Sequence, residues 1–151
     1  MIQQEEDTMT NNNFLAVDLG NSWYKVIASD NGMISEYQMP NALALFDEEF
    51  YEMHYDEEDV SLEENLIVEV KSQAISNKRD MYYVGKGATK QRNVSLTSFN
   101  NQKVDEDRTY ILLFTIAAYH ALSLDPEASS INYEIDQLAA SLPTTQYKKS
   151  K

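Results

Sequence analysis

The stretch AVDLGNSWYKV, residues 16–26, decides the fold. An apolar run over residues 14–18 ends in an acid, and the turn formers glycine, asparagine and serine follow at 20–22. Residues 23–28 (WYKVIA) then resume the aromatic and β-branched character of a strand. The pattern predicts two antiparallel strands joined by a tight turn, with Lys25 on the returning strand.

The turn has the residue types that phosphate binding requires. Gly20 lets the backbone approach a ligand closely and take angles that other residues resist, and successive N–H groups of such a turn form a concave anion site. Asn21 and Ser22 add side-chain donors, and Lys25 adds a point positive charge. Asp18 cannot bind phosphate directly, but it can hold Mg²⁺ through the water shell of the ion. The alternative is an ordinary hairpin with a surface lysine, because Asp-x-Gly-Asn occurs in many turns for conformational reasons alone.

Other common nucleotide and metal motifs are incomplete in this chain. Residues 85–90 (GKGATK) imitate a Walker A loop, but the first glycine is not at the required spacing, and a glycine stands where serine or threonine should follow the lysine. Residues 41–64 are strongly acidic and hold no lysine or arginine, yet they lack the ordered D-x-D-x-D-G pattern of a calcium loop. This segment is therefore predicted to be a solvated loop or a loosely held helix.

Composition and charge narrow the function classes. The 151 residues fit one domain, and the net charge of -13 disfavours direct DNA binding because phosphates repel an acidic surface. The absence of cysteine excludes disulfides and cysteine-ligated zinc. No apolar run reaches the roughly 18–20 residues of a membrane span, and the acidic N-terminus has no secretory signal features. We expect a cytoplasmic protein whose residues 1–13 are a disordered lead-in.

The remaining strand signals predict a third strand and a later hairpin. The Asn-Gly pair at 31–32 is a strong turn signal, and residues 33–39 alternate as a strand does until Pro40. The opening is therefore a meander of three antiparallel strands. Residues 66–70 alternate, and residues 81–84 return after a turn at 76–80, which predicts a hairpin.

A long helix is predicted after the polar, irregular residues 90–102. Asp105 is a good N-cap, and residues 109–124 are apolar nearly all round, so the helix should be buried on more than one side. Two apolar stripes are predicted, one of Ile111, Phe114, Ala118 and Leu122 and another of Leu112, Ile116 and Tyr119. Residues 131–142 then alternate and become small and apolar, as in a strand that enters the middle of a sheet, and such a strand is expected to be parallel to its neighbour. The predicted fold class is α/β, a mixed sheet with a helix packed on it.

Taken in order, the motifs resemble those of ParM-like actin homologues from plasmids and phages of Gram-positive bacteria. VDLGNSWYKV resembles the first phosphate motif of the superfamily of actin, heat-shock chaperones and sugar kinases. Pro-Asn at 40–41, YYVGKGA at 82–88 and the acidic cap and apolar helix at 105–122 match this branch in order. A GLP…YK pattern that ends the next strand is matched at 141–148, except that Ser141 replaces its glycine.

The resemblance implies an actin-like ATPase domain, an RNase H-like mixed sheet with an inserted small subdomain. The implied core subdomain is residues 14–40 plus 103–151, and the implied insertion is residues 41–102. ATP or GTP would be held with Mg²⁺ between two such domains. The implied site residues are the phosphate-binding Gly20, Asn21, Ser22 and Lys25, with Asp18 on the hydrated metal ion. No catalytic residue carries over, because the family's water-orienting residue and its later nucleotide motifs come after residue 151.

The function implied by the resemblance is that of the N-terminal half of an actin-like, nucleotide-dependent filament protein that segregates plasmid DNA. We expect this half to bind nucleotide weakly and to have no turnover of its own. Its implied partners are other copies in a filament and an adaptor protein that alone touches DNA, with no membrane. Two alternatives stay open, a non-catalytic module that caps or regulates a full-length filament, and a fragment of a kinase or chaperone-type ATPase.

Overall fold

The computed structural model describes residues 12–49, 61–75, 80–96 and 107–141. The predicted lead-in before residue 12, the middle of the acidic run, the turn at 76–79, the Asp105 cap and the pattern at 142–148 lie outside the described residues. The elements are β1 (Phe14–Leu19), β2 (Trp23–Asp30), β3 (Met33–Pro40), β4 (Ala42–Leu45), a 3-10 turn (Leu62–Glu64), β5 (Leu66–Glu69), β6 (Met81–Val84), α1 (Lys86–Thr89), β7 (Ser95–Leu96), α2 (Asp107–Leu124) and β8 (Gln137–Ser141).

The first of two sheets has the order β3-β2-β1-β8 in the described part of the chain. β1 pairs with β2 and β2 pairs with β3, both antiparallel, which confirms the predicted opening meander. β8 is parallel to β1, which confirms the expectation for a strand that follows the long helix. The backbone φ is 50° at Asn31 and 86° at Gly32. Two successive positive angles are what a two-residue hairpin turn requires, so the Asn-Gly signal was correct.

The second sheet has the order β5-β6-β4-β7 and contains the predicted hairpin of β5 and β6. β4 was not predicted, because residues 41–64 were interpreted as a loop or a loosely held helix. That interpretation is wrong at its start, where residues 42–44 are buried. These small and apolar side chains precede the acids. Ala42 and Ala44 pack with Tyr83 of β6, and Leu43 belongs to the main core. Residues 95–96 were likewise expected to be irregular, but they pair with β4 as β7.

Helix α2 covers one face of the first sheet. Its residues Ile111, Leu112 and Ile116 are buried with the inward-facing side chains of β1 and β2, including Val17 and Val26. The expected burial on a second side is wrong for the described residues, since Phe114 is 41% exposed and Ala118 is also exposed. The helix packs on a single sheet face, so Ile111, Leu112 and Ile116 are covered, whereas the predicted stripe through Ile111 is exposed at Phe114 and Ala118. Neither helix in the described residues is long and apolar enough to cross a lipid bilayer.

The position of β8 differs from the prediction. It was expected in the middle of a sheet, but it is the edge strand of the described sheet, and all five of its residues are exposed. Residues 131–135, which alternate in sequence, form no strand. Their alternation serves packing instead, because Tyr133 and Ile135 turn toward α2 and the body of the sheet.

A buried polar cluster joins α2 to the far end of β2. The His120 Nε2 atom lies 2.5 Å from Asp30 Oδ2, and the Tyr133 hydroxyl donates a hydrogen bond to Asp30 Oδ1. Burial raises the pKa of the Tyr133 hydroxyl, and the Asp30 carboxylate that accepts its hydrogen bond raises that pKa further. Because an unpaired polar group would be costly here, the cluster fixes how the helix end sits on the sheet.

The two sheets meet where the chain leaves β3 and enters β4. The strands of the first sheet come from residues 14–40 and 137–141, and those of the second from residues 42–96. This arrangement is compatible with the predicted insertion after Pro40, and the subdomain boundaries stay a prediction. Gly85 packs at this junction, where a Cβ atom would lie 2.9 Å from Met39 Cγ.

Replacing Ile116 by alanine tests the packing of α2 on the sheet. Ile116 is fully buried in the main core, so we expect Ile116→Ala to lower the free energy of unfolding by about 2–5 kcal/mol. Ile34→Ala is the matched control, because Ile34 is 71% exposed on the same sheet and should change stability by less than about 0.5 kcal/mol. Urea denaturation measures both values, and equal losses would contradict the described packing.

Candidate phosphate-binding site

The predicted site residues lie at one end of the first sheet, on the face opposite α2. Asp18 is paired directly with Lys25 across β1 and β2, and with Ser141 across β1 and β8. Directly paired residues project from the same face of a sheet, so these three polar side chains form a row across three strands. All three are exposed. Among the ion pairs of the described residues there is none between Asp18 and Lys25, so the lysine is not held by this carboxylate.

Ser141 orients the acid of the site. Its hydroxyl donates a hydrogen bond of 2.6 Å to Asp18 Oδ1. The glycine that usually stands at this position of the family's pattern has no side chain to make this bond. The second carboxylate oxygen of Asp18 accepts no hydrogen bond from the described residues, and a hydrated Mg²⁺ ion needs only one or two carboxylates. The residues present therefore fit a water-mediated magnesium contact, although the described residues contain no cluster of three metal-ligating side chains.

A shallow groove of about 450 Å³ runs along this row of side chains. Its polar end is formed by the row itself, and its floor is formed by Ala16, Ile27 and Ala139. The small side chains of Ala16 and Ala139 let a ligand lie close to β1 and β8, whereas Ile27 is the bulky member of the floor. Asn21 and Ser22 line a second hollow of about 350 Å³, which α1 and β7 bound through Lys86, Thr89 and Leu96.

Gly20 is required by the turn itself. It is not among the described residues with a positive φ, so the expectation of unusual backbone angles at this position is wrong. The constraint is steric instead, since a Cβ atom on Gly20 would lie 2.5 Å from the Trp23 carbonyl oxygen. The Gly20 N–H group donates to the Asp18 carbonyl oxygen at 3.0 Å, which tightens the end of β1. The loop is therefore closed by contacts between its own backbone atoms.

Asn41 holds this turn from behind, and sequence reasoning treated it only as a strand terminator and a family marker. It is 2% exposed. Its backbone N–H donates to the Ser22 carbonyl oxygen at 2.9 Å, and its side-chain Nδ2 donates to the Gly20 carbonyl oxygen at 3.0 Å. An asparagine beside a proline at a strand end gave no signal for such a contact, because the partner residues are some twenty positions away in sequence.

Arg108 was missed altogether, although a buried arginine always has a structural or functional partner. It is 7% exposed at the start of α2. Its Nη2 group donates to Asn41 Oδ1 at 3.1 Å, to the Asn41 carbonyl oxygen at 3.0 Å and to the Ser95 carbonyl oxygen at 2.8 Å. The only sequence signal was a charged residue within the first turn of an apolar helix.

Tyr24 follows the turn on the buried face of β2. It is 3% exposed, and burial raises the pKa of its hydroxyl to about 12. The nearby Arg108 guanidinium and a hydrogen bond with Thr109 act in the opposite direction, but burial prevails. The tyrosine therefore stays neutral beneath the turn at physiological pH.

Comparison with known protein families matches residues 16–151 to the family described as actin-like proteins, N-terminal domain. The chain belongs to this family. Its actin-like fold confirms the predicted class, a mixed α/β structure of the ParM type. No curated protein sequence matches the chain.

Solved structures of actin-like proteins share this fold at low sequence identity. Bacillus thuringiensis ParM with ADP has a TM-score of 0.62 and 19% identity over 92% of this chain. The actin-like protein Alp7A has a TM-score of 0.62 and 21% identity over 91% of this chain. A 15-stranded ParM filament from Clostridium botulinum has a TM-score of 0.55 and 16% identity over 93% of this chain. The matches cover 36%, 33% and 37% of those chains, so the actin-like chain described here spans about a third of their length.

The steric requirement at Gly20 can be tested by adding a methyl group. In Gly20→Ala the new Cβ atom meets backbone rather than a flexible side chain, so the turn must open, and we expect a loss of about 1–3 kcal/mol in stability. The emission of Trp23, the single tryptophan of the chain, should shift as well. Ile34→Ala is again the control, because Ile34 is 71% exposed and its side chain can be shortened with little change in stability. Unchanged stability of Gly20→Ala in urea denaturation would rule out the close turn.

The raised pKa of Tyr24 predicts a loss of stability at alkaline pH. Between pH 10 and pH 12 the unfolded chain releases the Tyr24 proton while the folded chain keeps it, so the free energy of unfolding falls as pH rises. Tyr24→Phe removes this contribution, and its stability should decline less steeply over the same range. Urea denaturation at pH 9 and pH 11 measures the slopes, with Tyr110→Phe as the control at a half-exposed tyrosine. Parallel slopes for the native protein and Tyr24→Phe would disprove the assignment.

Proposed function

We propose that the chain is the phosphate-binding, N-terminal half of an actin-like, nucleotide-dependent filament protein that segregates plasmid DNA. The observation that carries the proposal is the pairing of Asp18 with Lys25 beside a turn whose carbonyl oxygens are tied back to Asn41. A cation, a metal-binding acid and a turn with outward amide groups are the parts that polyphosphate recognition needs. Membership of the actin-like family supports it and weighs against a kinase or chaperone fragment.

The proposed ligand is ATP or GTP with Mg²⁺. Lys25 provides positive charge for the phosphates, and Gly20, Asn21 and Ser22 provide backbone and side-chain donors. Asp18, oriented by Ser141, holds water molecules of the magnesium ion. The ion itself, when bound, neutralises phosphate charge. ParM from Bacillus thuringiensis has been solved with ADP and with AMPPNP, which supports this class of ligand for an actin-like relative.

Binding by this chain alone should be weak. The groove beside Asp18 and Lys25 is shallow and open, so a nucleotide lying in it keeps much of its surface in water. Contacts from a second domain would bury the rest, as they do for ligands held between domains. We therefore propose that this chain binds phosphate from one side and has no turnover of its own.

The proposed partners are further actin-like subunits in a filament, with an adaptor protein between filament and DNA in the cytoplasm. The acidic net charge of -13 supports an indirect link to DNA. A capping or regulatory module is the second candidate, and the exposed edge strand β8 favours it, because unpaired backbone groups at an edge can pair with another chain. Sedimentation with filaments of a full-length relative separates the two, since a subunit lengthens filaments and a cap shortens them.

Lys25→Ala tests the phosphate site directly. Charge-assisted hydrogen bonds contribute about 1.5–3 kcal/mol, so we expect Mg-ATP affinity to fall at least about tenfold. NMR titration detects binding in the millimolar range, which suits a one-sided site. Lys71→Ala is the control, because Lys71 is another exposed lysine and does not line the groove. If Lys25→Ala and Lys71→Ala bind Mg-ATP as the native chain does, the loop is only a hairpin.

A further inference from the structure

We propose that Asn41 and Arg108 are positioning residues that set the direction of the amide groups in the turn at 20–22 and tie that turn to the second sheet. The inference rests on the proposed function, because it assigns these residues to the same phosphate site. It concerns two side chains that do not touch the ligand. They act through the backbone of the turn.

The first step is the direction of the peptide groups. Asn41 accepts nothing from the turn and donates twice, to the carbonyl oxygens of Gly20 and Ser22. The described residues contain no cis peptide bond, and in a planar trans peptide the C=O and the following N–H point in opposite directions. The N–H groups of Asn21 and Trp23 are therefore directed away from Asn41. Because Asn41 binds the carbonyl oxygens of Gly20 and Ser22, these partially negative atoms face Asn41 and not the side toward which the two N–H groups point.

The second step is the orientation of the Asn41 amide. A guanidinium group can only donate hydrogen bonds, and a carbonyl oxygen can only accept them. Because Arg108 Nη2 lies 3.1 Å from one end of the amide and the Gly20 carbonyl oxygen lies 3.0 Å from the other, Oδ1 must face Arg108 and Nδ2 must face Gly20. Arg108 thus selects the one amide orientation that serves the turn.

The third step is the link to the second sheet. The same Arg108 Nη2 group donates to the Ser95 carbonyl oxygen of β7, and Ala42, next to Asn41, pairs with Leu96 of that strand. Arg108 and Asn41 are both buried, where hydrogen bonds to a charged group are strong and expensive to break. A movement of the second sheet that pulls β7 from Arg108 therefore loosens the turn, and by linkage a ligand that stiffens the turn holds β7 in place.

Asn41→Asp is the most specific test of this role, because it replaces the side-chain NH2 group by an oxygen atom and keeps the shape of the side chain. The carboxylate keeps an acceptor for Arg108, but it loses the donor to Gly20 and sets an oxygen against the Gly20 carbonyl oxygen. The matched control is Gln91→Glu. Gln91 is also a buried residue with a side-chain amide. It donates to the carbonyl oxygen of Gly87 in α1 at 3.3 Å and does not contact the turn.

The unliganded protein gives the first measurement. In Asn41→Asp the backbone amide protons of Gly20 and residue 41, which donate to the carbonyl oxygens of Asp18 and Ser22, should exchange with solvent at least about fivefold faster. Quenching of Trp23 fluorescence by acrylamide should increase as well. Gln91→Glu should leave both unchanged. Should Asn41→Asp fail to fold, Arg108→Lys carries the same measurement, because it keeps the charge but loses the planar fork. A folded variant with native exchange and quenching at the turn would overturn the inference, whether or not the chain binds nucleotide.

The liganded protein gives the second measurement, by NMR titration with Mg-ATP. We expect Asn41→Asp to weaken Mg-ATP binding at least about tenfold and Gln91→Glu to change it less than twofold, because only Asn41 is bonded to the turn. Equal losses for both variants would overturn the positioning role in favour of general destabilisation. If the native chain binds no Mg-ATP, the proposed function fails, and the inference is then upheld or overturned by the turn measurements alone.

Discussion

The hydrogen-bonded contact between Asn41 and Arg108 is the constraint on which the rest of this structure depends. It lies where the chain passes from one sheet to the other, and it joins the turn at 20–22, the start of α2 and the start of β7. Separating these three parts would leave a buried guanidinium group without hydrogen-bond acceptors, which would lower the free energy of unfolding. The position of the candidate site is therefore set by a polar contact rather than by apolar packing.

Strand register supplies the second part of the arrangement. Pairing within the first sheet puts Ser141, Asp18 and Lys25 side by side on three adjacent strands, in the order β8, β1, β2. The connections between these strands differ, since a short turn joins β1 to β2, whereas β8 follows the long helix α2 in sequence. A slip of one residue in either pairing would move one of the side chains to the buried face. The apolar alternation of β1 and β2 against α2 prevents that slip.

The opposite end of the same sheet is fixed by a different device. Asp30, at the end of β2, is bonded to His120 of α2 and to Tyr133, which lies before β8. The helix is thus attached to the sheet at both ends, through Arg108 at its start and His120 near its finish. This double attachment explains why a helix with a nearly continuous apolar surface still lies in one orientation, with Phe114 exposed and Ile116 buried.

The sequence by itself determined the elements that depend on local pattern. Asn31-Gly32 determined a turn, the alternation in β1 to β3 determined a meander, and the order of motifs determined an actin-like family membership that the family comparison confirms. The chemistry at Asp18, Gly20, Asn21, Ser22 and Lys25 was also legible, because those residues are close in sequence, and their role stays a prediction. Tertiary structure alone decided that β4 forms, that β8 is an edge strand of the described sheet, and that Asn41 and Arg108 meet behind the turn. These features join residues tens of positions apart, and no local period or composition records which distant partner will satisfy a buried amide or guanidinium group.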